Sequence, residues 1–276
     1  MRKTPKIFGI HAAPSLYLTI LLASLPFVIL IISYLVTADI RHSENPQDKL
    51  IPTVSQMVDA VNRLAFTEDK RTGNYVMLQD TTSSLQRLFI GVSCAAIVGL
   101  LLGLNMAVFP GMQATLLSGL TFVSMIPPLA ILPILFIVVG IDELAKVSLI
   151  FIGVFPVLAR DTFLAVKKIP VQQITKALTL GASQLAIVYR IILPQIMPRL
   201  LDSLRLSLGA AWLFLIAAEA IAANDGLGYR IFLVRRYLAM DVIIPYVLWI
   251  TLWGFLLDYL LRLSVQKFFP WYQTES

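Results

Sequence analysis

The residues that could carry covalent or metal chemistry are few and isolated in this sequence. His11 and His42 occur singly, and the only cysteine is Cys94, in an apolar run where an inert buried thiol is expected. A metal site needs several ligands at recognised spacings, and an intramembrane enzyme needs paired catalytic groups. No G-x-x-x-x-G-K-[ST] phosphate loop occurs. The sequence therefore predicts no metal site, no bound cofactor and no enzymatic activity in this chain.

Two charged residues next to apolar segments remain as functional candidates. Glu219 is the only acid in its apolar stretch, and an ionisable residue in a membrane segment is a functional candidate by default. It can line a solute pathway, but a structural or gating ion pair with Arg230, Arg235 or Arg236 is the favoured interpretation. For Arg87, attraction of an anion and a structural ion pair are both open, and the ion pair is favoured.

The elements that position these residues are membrane helices. Of the 276 residues 58% are hydrophobic and 14% are charged, whereas a soluble domain carries about 25% charged residues. At about 20 residues per span, the chain predicts one all-α, polytopic domain over residues 1–276. The net charge of +6 follows from segregation of charge between loops, so the lipid bilayer is an expected partner and nucleic acid is not.

Charge-free runs and helix breakers divide the chain into about six transmembrane helices. The excess of Lys and Arg at the N-terminus and after the fourth span predicts cytoplasmic termini, a cytoplasmic loop at about 166–200 and an extracytoplasmic segment at about 39–80. The predicted spans cover residues 14–38, 82–108, 113–140, 144–165, 202–222 and 242–263.

The extracytoplasmic segment contains a short amphipathic helix. Thr53 and Gln56 have the spacing of a capping box, and apolar residues from Val54 to Leu64 follow at helical intervals. Simple packing on neighbouring helices and a gating role at the mouth of a pathway both remain open for it.

Small residues recur every fourth position in the second span, at Gly91, Ala95, Gly99 and Gly103. Such a stripe lets two helix backbones approach closely in lipid. It therefore predicts helix packing rather than a ligand site.

The third span is interrupted by Pro127, Pro128 and Pro133. Proline removes backbone hydrogen bonds, and irregular backbone within a membrane survives only against protein or a water-filled cavity. A solute pathway and a packed kink are both open interpretations. Trp212 can likewise face a pathway or pack closely beside its small neighbours. The tentative pathway residues are Ser124, Met125, Trp212 and Glu219.

Most of the net positive charge lies between residues 160 and 205, where seven Lys or Arg face two acids. From Val171 this segment has helical periodicity, Gly181 can end the helix with a left-handed residue, and Ser183 can cap a second short helix. Pro194 is expected to follow that second helix closely. Periodicity alone leaves both a protein-docking element and an interfacial helix on the lipid open.

The same segment resembles the permease subunits of bacterial ATP-binding-cassette importers. Their pattern is E-A-A, three residues, G, nine residues, I, one residue, L-P, and this chain keeps the spacing with Thr and Lys in place of the Glu and first Ala. Further stretches, among them "IPPLAILPI" and "AAEAIAANDGLGY", are similar to the nitrate, sulfonate and taurine branch of this family. The residues that the resemblance assigns to coupling are Thr175, Lys176, Ala177, Leu178, Gly181, Ile191, Leu193 and Pro194.

The resemblance implies a specific assembly. Two permease copies, expected to be identical, form the pore in the inner membrane, and two ATPase subunits bind ATP and Mg beneath it. Each ATPase takes the short coupling helices of the 166–200 loop into a groove, and an extracytoplasmic binding protein delivers a small anion such as nitrate, a sulfonate or taurine. An arginine at Gly181 is expected not to fit the tight turn between these helices.

Two other classes of membrane protein compete with this interpretation. A stand-alone secondary transporter usually shows internal repeats and coupling charges within its spans, and this chain shows no convincing repeat. An intramembrane enzyme needs paired catalytic groups, and only Glu219 is available.

Overall fold

The structure, a computed structural model, describes residues 14–45, 48–69 and 73–272. Within these ranges the chain is helical and contains no strand. The helices are α1 (Leu16–Glu44), α2 (Val54–Ala65), α3 (Val76–Val108), α4 (Pro110–Met125), α5 (Pro128–Val139), α6 (Glu143–Lys167), α7 (Val171–Thr179), α8 (Gln184–Ile187), α9 (Leu193–Ala222), α10 (Leu227–Arg235) and α11 (Met240–Phe268), with a π-helical turn at Val188–Ile192.

Helices α3 and α6 run parallel and form the closest helix pair of the bundle. A Cβ atom added to Gly91 would lie 2.8 Å from the Cβ of Ile150, and one added to Gly103 would lie 2.7 Å from the Cβ of Thr162. The predicted packing role of the small-residue stripe is confirmed, because glycine alone allows this approach. Cys94 lies on α3 but points away from this contact and is exposed, so the expectation of a buried thiol is wrong.

The proline-rich third span is sharply bent. Helices α4 and α5 meet at an angle of 97° across the break at Ile126–Pro127. Because α3 and α6 run parallel, the chain must return through α4 and α5 to the end of the bundle where α3 began. The bent pair therefore makes one crossing, which together with the five long apolar helices gives the six crossings that the sequence predicts.

Helix α9 begins earlier than the sequence pattern indicates. The π-helical turn joins it to α8, so helix continues from Gln184 to Ala222 without a loop. The predicted helix start near residue 202 is therefore wrong, whereas the cytoplasmic segment at about 166–200 stays a prediction. Pro194 does not end a helix but lies at the second position of α9, directly after the π-helical turn.

Helix α9 runs antiparallel to both α6 and α11. Phe214 packs against Gly153 of α6, while Arg199 pairs with Asp161 nearer the start of α9. Arg205 reaches Asp258 of α11 at 3.2 Å. The bundle thus has two ends, which we call the Arg87 end, where α3 and α6 begin, and the α7–α8 end, where they finish. Buried leucines fill the core between them, at Leu88, Leu149, Leu158 and Leu215.

Helix α1 stands at the edge of the bundle. Of the 29 residues of α1, Ala38 is the one that is buried. The helix extends to Glu44, whereas the sequence predicts its end near residue 38. The hydroxyl of Tyr34 donates to the carbonyl oxygen of Pro52 at 2.7 Å, which ties α1 to the start of α2. The predicted capping box of α2 is confirmed, since the backbone N–H groups and side chains of Thr53 and Gln56 bind each other reciprocally.

Candidate functional site

A two-helix tip projects from the bundle after α6. Helix α7 ends in a Schellman motif: the N–H of Gly181 donates to the carbonyl of Leu178, and the N–H of Ala182 donates to that of Ala177, each at 3.0 Å. Gly181 has φ +81°, so the predicted left-handed residue is confirmed. Because the turn is tight, α8 can start only three residues later, capped by the hydroxyl of Ser183 as predicted.

The tip is anchored by its inner face and exposes an apolar outer face. Ala177 and Ile187 are buried against the bundle, whereas Leu180 is 79% and Leu185 is 70% exposed. Exposed apolar side chains clustered on a protruding element mark an interaction site. We call the exposed set the tip surface, made up of Val171, Leu178, Leu180, Leu185 and Tyr189.

The eight residues of the sequence motif divide between these two faces. Ala177 is buried, and Ile191, Leu193 and Pro194 are partly buried where the helix enters the bundle. The exposed members are Thr175, Lys176, Leu178 and Gly181. The sequence analysis did not select Leu180 and Leu185. Their position on either side of a turn glycine is nevertheless a signal for an interaction surface, because leucines rarely flank an exposed turn without a partner.

The Arg87 end contains a dense group of charges around the buried side chain of Arg87. The guanidinium of Arg87 donates to Glu219 at 2.8 Å, to the carboxylate of Asp225 at 2.6 Å, and to both oxygens of Glu143. Lys146 pairs with Glu143 from the next turn of α6. These five residues, which we call the Arg87 cluster, join α3, α6 and α9, so the favoured ion-pair interpretation of Arg87 is confirmed.

Glu219 is fully buried at the centre of this cluster. It accepts hydrogen bonds from the hydroxyl of Ser84 at 2.7 Å and from the backbone N–H of Gly228 at 2.8 Å. A buried carboxylate needs such partners because isolation from water is costly. The favoured ion pair is therefore present, but its predicted partners are wrong, since the cation is Arg87, 132 residues away.

Arg230 belongs to a second, neighbouring group of hydrogen-bonded polar side chains, which the sequence did not predict. Its guanidinium binds Asp80 of α3 at 2.8 and 3.2 Å, and the hydroxyl of Tyr246 of α11 donates to Asp80 at 2.9 Å. The backbone N–H of Gly226, which has φ +120°, also donates to Asp80. We call Asp80, Arg230 and Tyr246 the Asp80 cluster. It fixes α10 against α3 and α11.

The four tentative pathway residues do not form one site in this conformation. Ser124 and Met125 are exposed on the last turn of α4, directly before the 97° bend. Trp212 is buried, and a Cβ added to Gly254 of α11 would lie 3.8 Å from its indole nitrogen. Glu219 is enclosed by the Arg87 cluster. Of this set, only Ser124 and Met125 have exposed side chains.

Comparison with known proteins defines the class. Residues 95–270 match the family described as binding-protein-dependent transport system inner membrane component, and the chain belongs to this family. It is therefore a permease subunit of an ATP-binding-cassette importer, a multi-pass inner-membrane protein that forms a pore and is not an enzyme. Such a permease works with an ATPase and with a solute-binding protein.

The particular relatives place it within the family. The taurine transport system permease protein TauC of Escherichia coli (strain K12) is 34% identical, over 70% of each chain. The putative aliphatic sulfonates transport permease protein SsuC of the same organism is 33% identical over 53% of this chain and 56% of that one. The bicarbonate transport system permease protein CmpB of Synechocystis sp. is 33% identical over 64% of each chain. The chain thus lies in the nitrate, sulfonate and taurine branch.

Solved structures agree on the fold. A structure of the MetNI methionine ABC transporter in an inward facing conformation superposes with a TM-score of 0.61 at 20% identity. It covers 69% of this chain and 95% of the other. The arrangement of helices is therefore that of an ABC transporter permease.

Proposed function

We propose that the tip surface is the docking site for the partner ATPase and that the α7–α8 end is cytoplasmic. The observation that carries this proposal is the exposed apolar outer face of a tip whose inner face is anchored by Ala177 and Ile187. An anchored tip can pass a push from its partner into α9, because helix is continuous from Gln184 to Ala222. The motif residues Thr175 and Lys176 stand beside this surface.

The assembly that we propose contains two permease subunits, two ATPase subunits and one solute-binding protein. Two copies of this chain form the pore, and each presents its tip to one of two ATPase subunits. ATP and Mg are bound by those ATPase subunits. With the α7–α8 end inside, the Arg87 end faces the binding protein outside, and both chain termini are cytoplasmic. The first 13 residues, whose positive charge supports this orientation, lie outside the described residues.

The solute we propose is a small molecule with an anionic group, such as nitrate, a sulfonate or taurine. Support comes from the relatives named for taurine, aliphatic sulfonates and bicarbonate, which are all small and carry an acidic group. A stand-alone secondary transporter is not favoured, because the whole family works with a binding protein.

Within the pore we assign different roles to the two groups of pathway candidates. Ser124 and Met125 line the route at the bend, where a broken helix exposes polar backbone. Glu219 acts as a lock rather than a ligand, since Arg87, Ser84 and Gly228 occupy its hydrogen-bonding positions. Trp212 packs α9 on α11. Opening of the outer mouth then requires the Arg87 cluster to shift as a unit.

The docking proposal is tested by removing one exposed leucine. We expect Leu180→Ser to leave the amount and thermal stability of the membrane subunit unchanged, because the side chain is 79% exposed. The same substitution should lower co-purification with the ATPase and solute-stimulated ATP hydrolysis at least about tenfold, the loss of one well-packed anchor.

The matched control is Leu50→Ser, which removes a leucine that is 48% exposed near the start of α2, toward the Arg87 end. It should leave ATPase binding intact. If Leu180→Ser binds the ATPase as tightly as the control does, the tip surface is not the docking site.

A further inference from the structure

The turn between α10 and α11 exposes large apolar side chains at the Arg87 end of the bundle. We call it the Leu238 turn, residues 235–239. It lies at this end because the helices on both sides of it contribute side chains to the Asp80 cluster. Tyr237 is 71% and Leu238 is 53% exposed. Exposed apolar side chains that stand together in this way are candidates for an interaction site.

The backbone of the turn is unfavourable for the residue that it contains. Leu238 has φ +54° and is the one non-glycine residue with positive φ in the part of the chain that the structure describes. Its N–H donates to the carbonyl of Arg235 at 3.1 Å, and the N–H of Ala239 donates to that of Val234 at 3.4 Å, as in a Schellman motif. The same motif at the end of α7 has Gly181 in the left-handed position, where glycine is the usual residue. Leucine in this position therefore lowers stability while it places a side chain on the surface.

The turn is held in place by the helices and the core behind it. Val234 and Ala239 pack against the hydrophobic core. Earlier in α10, Arg230 binds Asp80 of α3 at 2.8 and 3.2 Å. A strained conformation persists only where its surroundings hold it, and such positions are concentrated at functional sites. The exposed side chains of the Leu238 turn thus have a fixed arrangement, which suits a partner of fixed shape.

The charges that lack an ion pair around the turn are positive. Asp48 and Asp241, the acids that line the cleft beside the turn, lie within 4.0 Å of an arginine of α1 and of α2, respectively. Lys49, in the same cleft, and Arg235 and Arg236 are exposed and form no ion pair with any residue that the structure describes. The complement of this surface is an apolar depression with carboxylates around it.

We propose that the Leu238 turn is a docking site for the solute-binding protein, which covers it with an apolar depression rimmed by carboxylates. The inference rests on the proposed function, which places the Arg87 end outside. Tyrosine and arginine are enriched in the buried parts of protein interfaces. Docking on the turn acts on α10, which carries Arg230 of the Asp80 cluster. Arrival of the binding protein is therefore felt by the buried charges of this end through one short helix.

The competing occupant of the turn is the lipid surface. Tyrosine and positively charged side chains are also frequent where membrane helices meet the headgroups. A bilayer surface adapts to any side chain, however, and does not require a leucine in a strained position. Only a protein partner makes the affinity of the solute-binding protein depend on this turn, so a binding experiment separates the two.

The test uses the complete transporter with its ATPase in lipid nanodiscs and measures the affinity of its solute-binding protein by surface plasmon resonance. Leu238→Gly removes the side chain and relieves the backbone. Arg236→Gln removes one positive charge beside it. The control Arg262→Gln removes the charge of an exposed arginine near the other end of α11.

We expect Leu238→Gly to raise the thermal midpoint of the transporter, because glycine is preferred in the left-handed position. The same variant should bind the solute-binding protein at least about tenfold more weakly. Arg236→Gln should weaken binding about threefold, mainly through slower association at low salt. Arg262→Gln should bind as the wild type does, and all variants should keep the ATPase.

Equal affinity of both turn variants and the control would overturn the inference. Lower retention of phosphatidylglycerol by the turn variants, measured by native mass spectrometry, would in that case assign the turn to the lipid surface. A wild-type transporter that binds no solute-binding protein would instead contradict the proposed function, and this inference with it.

Discussion

The stability of the Arg87 end depends more on the charge of Glu219 than on any other residue. Glu219→Gln keeps the shape and one acceptor oxygen but removes the negative charge that faces Arg87 at 2.8 Å. Breaking a buried ion pair by removing one partner costs about 3–5 kcal/mol. We expect a clearly lower thermal midpoint for the purified transporter, together with loss of solute uptake, measured by scanning fluorimetry and by vesicle transport.

Asp241 provides the control, since its ion pair with Arg63 joins side chains that are 32% and 66% exposed, across 4.0 Å. Water compensates for most of a lost surface pair, so Asp241→Asn should cost about 1 kcal/mol or less. An equal loss of stability in both variants would show that burial of Glu219 is not what matters.

Two glycines test the packing of α3 on α6. An added methyl group at Gly103 would lie 2.4 Å from the carbonyl oxygen of Ala159, so Gly103→Ala must push the helices apart, at about 1–3 kcal/mol. At Gly119 of α4 nothing lies within 4 Å, so Gly119→Ala should stabilise the helix by about 0.4–1 kcal/mol. Denaturant unfolding in micelles measures both, and changes of the same sign would contradict this packing.

Gly181 requires a different physical reason from the one its sequence context suggests. A Cβ atom there would meet nothing within 4 Å, so side-chain bulk is not what restricts the position, and the exclusion of an arginine from the turn stays a prediction. The restriction is conformational, because φ +81° is unfavourable for any residue with a side chain. Residues that are far apart in sequence were equally hard to foresee: the apolar pattern identifies the segment around Glu219, but only the packed bundle brings Arg87 to it.

At the scale of elements, the bend between α4 and α5 is the feature with the clearest mechanical consequence. Replacing Pro127 and Pro128 by alanine restores two backbone donors, so the break should extend as helix and the bend should fall well below 97°. Spin labels on Met112 and Ile137 should then move apart, and solute uptake should fall.

Pro26→Ala in α1 is the control, because that proline also lies inside a helix but its helix has almost no buried contacts. It should change neither the label distance nor uptake. Unchanged uptake in the double proline variant, with the bend measurably opened, would mean that the bend has no part in transport.

Elements differ in how far their sequence predicts them. Local sequence signals predict α2 with its capping box, the two-helix tip and the proline break. Each of these depends on residues that lie within a few positions of one another in the chain. The sequence did not predict that α9 would start at Leu193, because a proline at 194 favours a boundary until the π-helical turn is known. Helix α10 was missed since Asp80 of α3 holds its first turn through the N–H of Gly226.

At the scale of the whole molecule, the two ends differ. The Arg87 end is held together by charged and polar contacts, and the α7–α8 end exposes apolar side chains. The Arg87 and Asp80 clusters connect α3, α6, α9 and α10 through ion pairs and reach α11 through the hydroxyl of Tyr246, whereas the opposite end presents exposed leucines on a short tip. Parallel packing of α3 on α6 and antiparallel packing of α9 join the two ends. If the tip moves as proposed, the continuous helix from Gln184 to Ala222 connects that movement to the clusters.

The most direct test of this account is the side of the membrane on which the tip lies and what it touches there. In a Cys94→Ala background, Leu180→Cys is treated with a membrane-impermeant thiol reagent in intact cells and in inverted vesicles, and is then cross-linked. We predict labelling only in inverted vesicles and a cross-link to the ATPase. Labelling in intact cells, or a tip that never cross-links to the ATPase, would contradict the account.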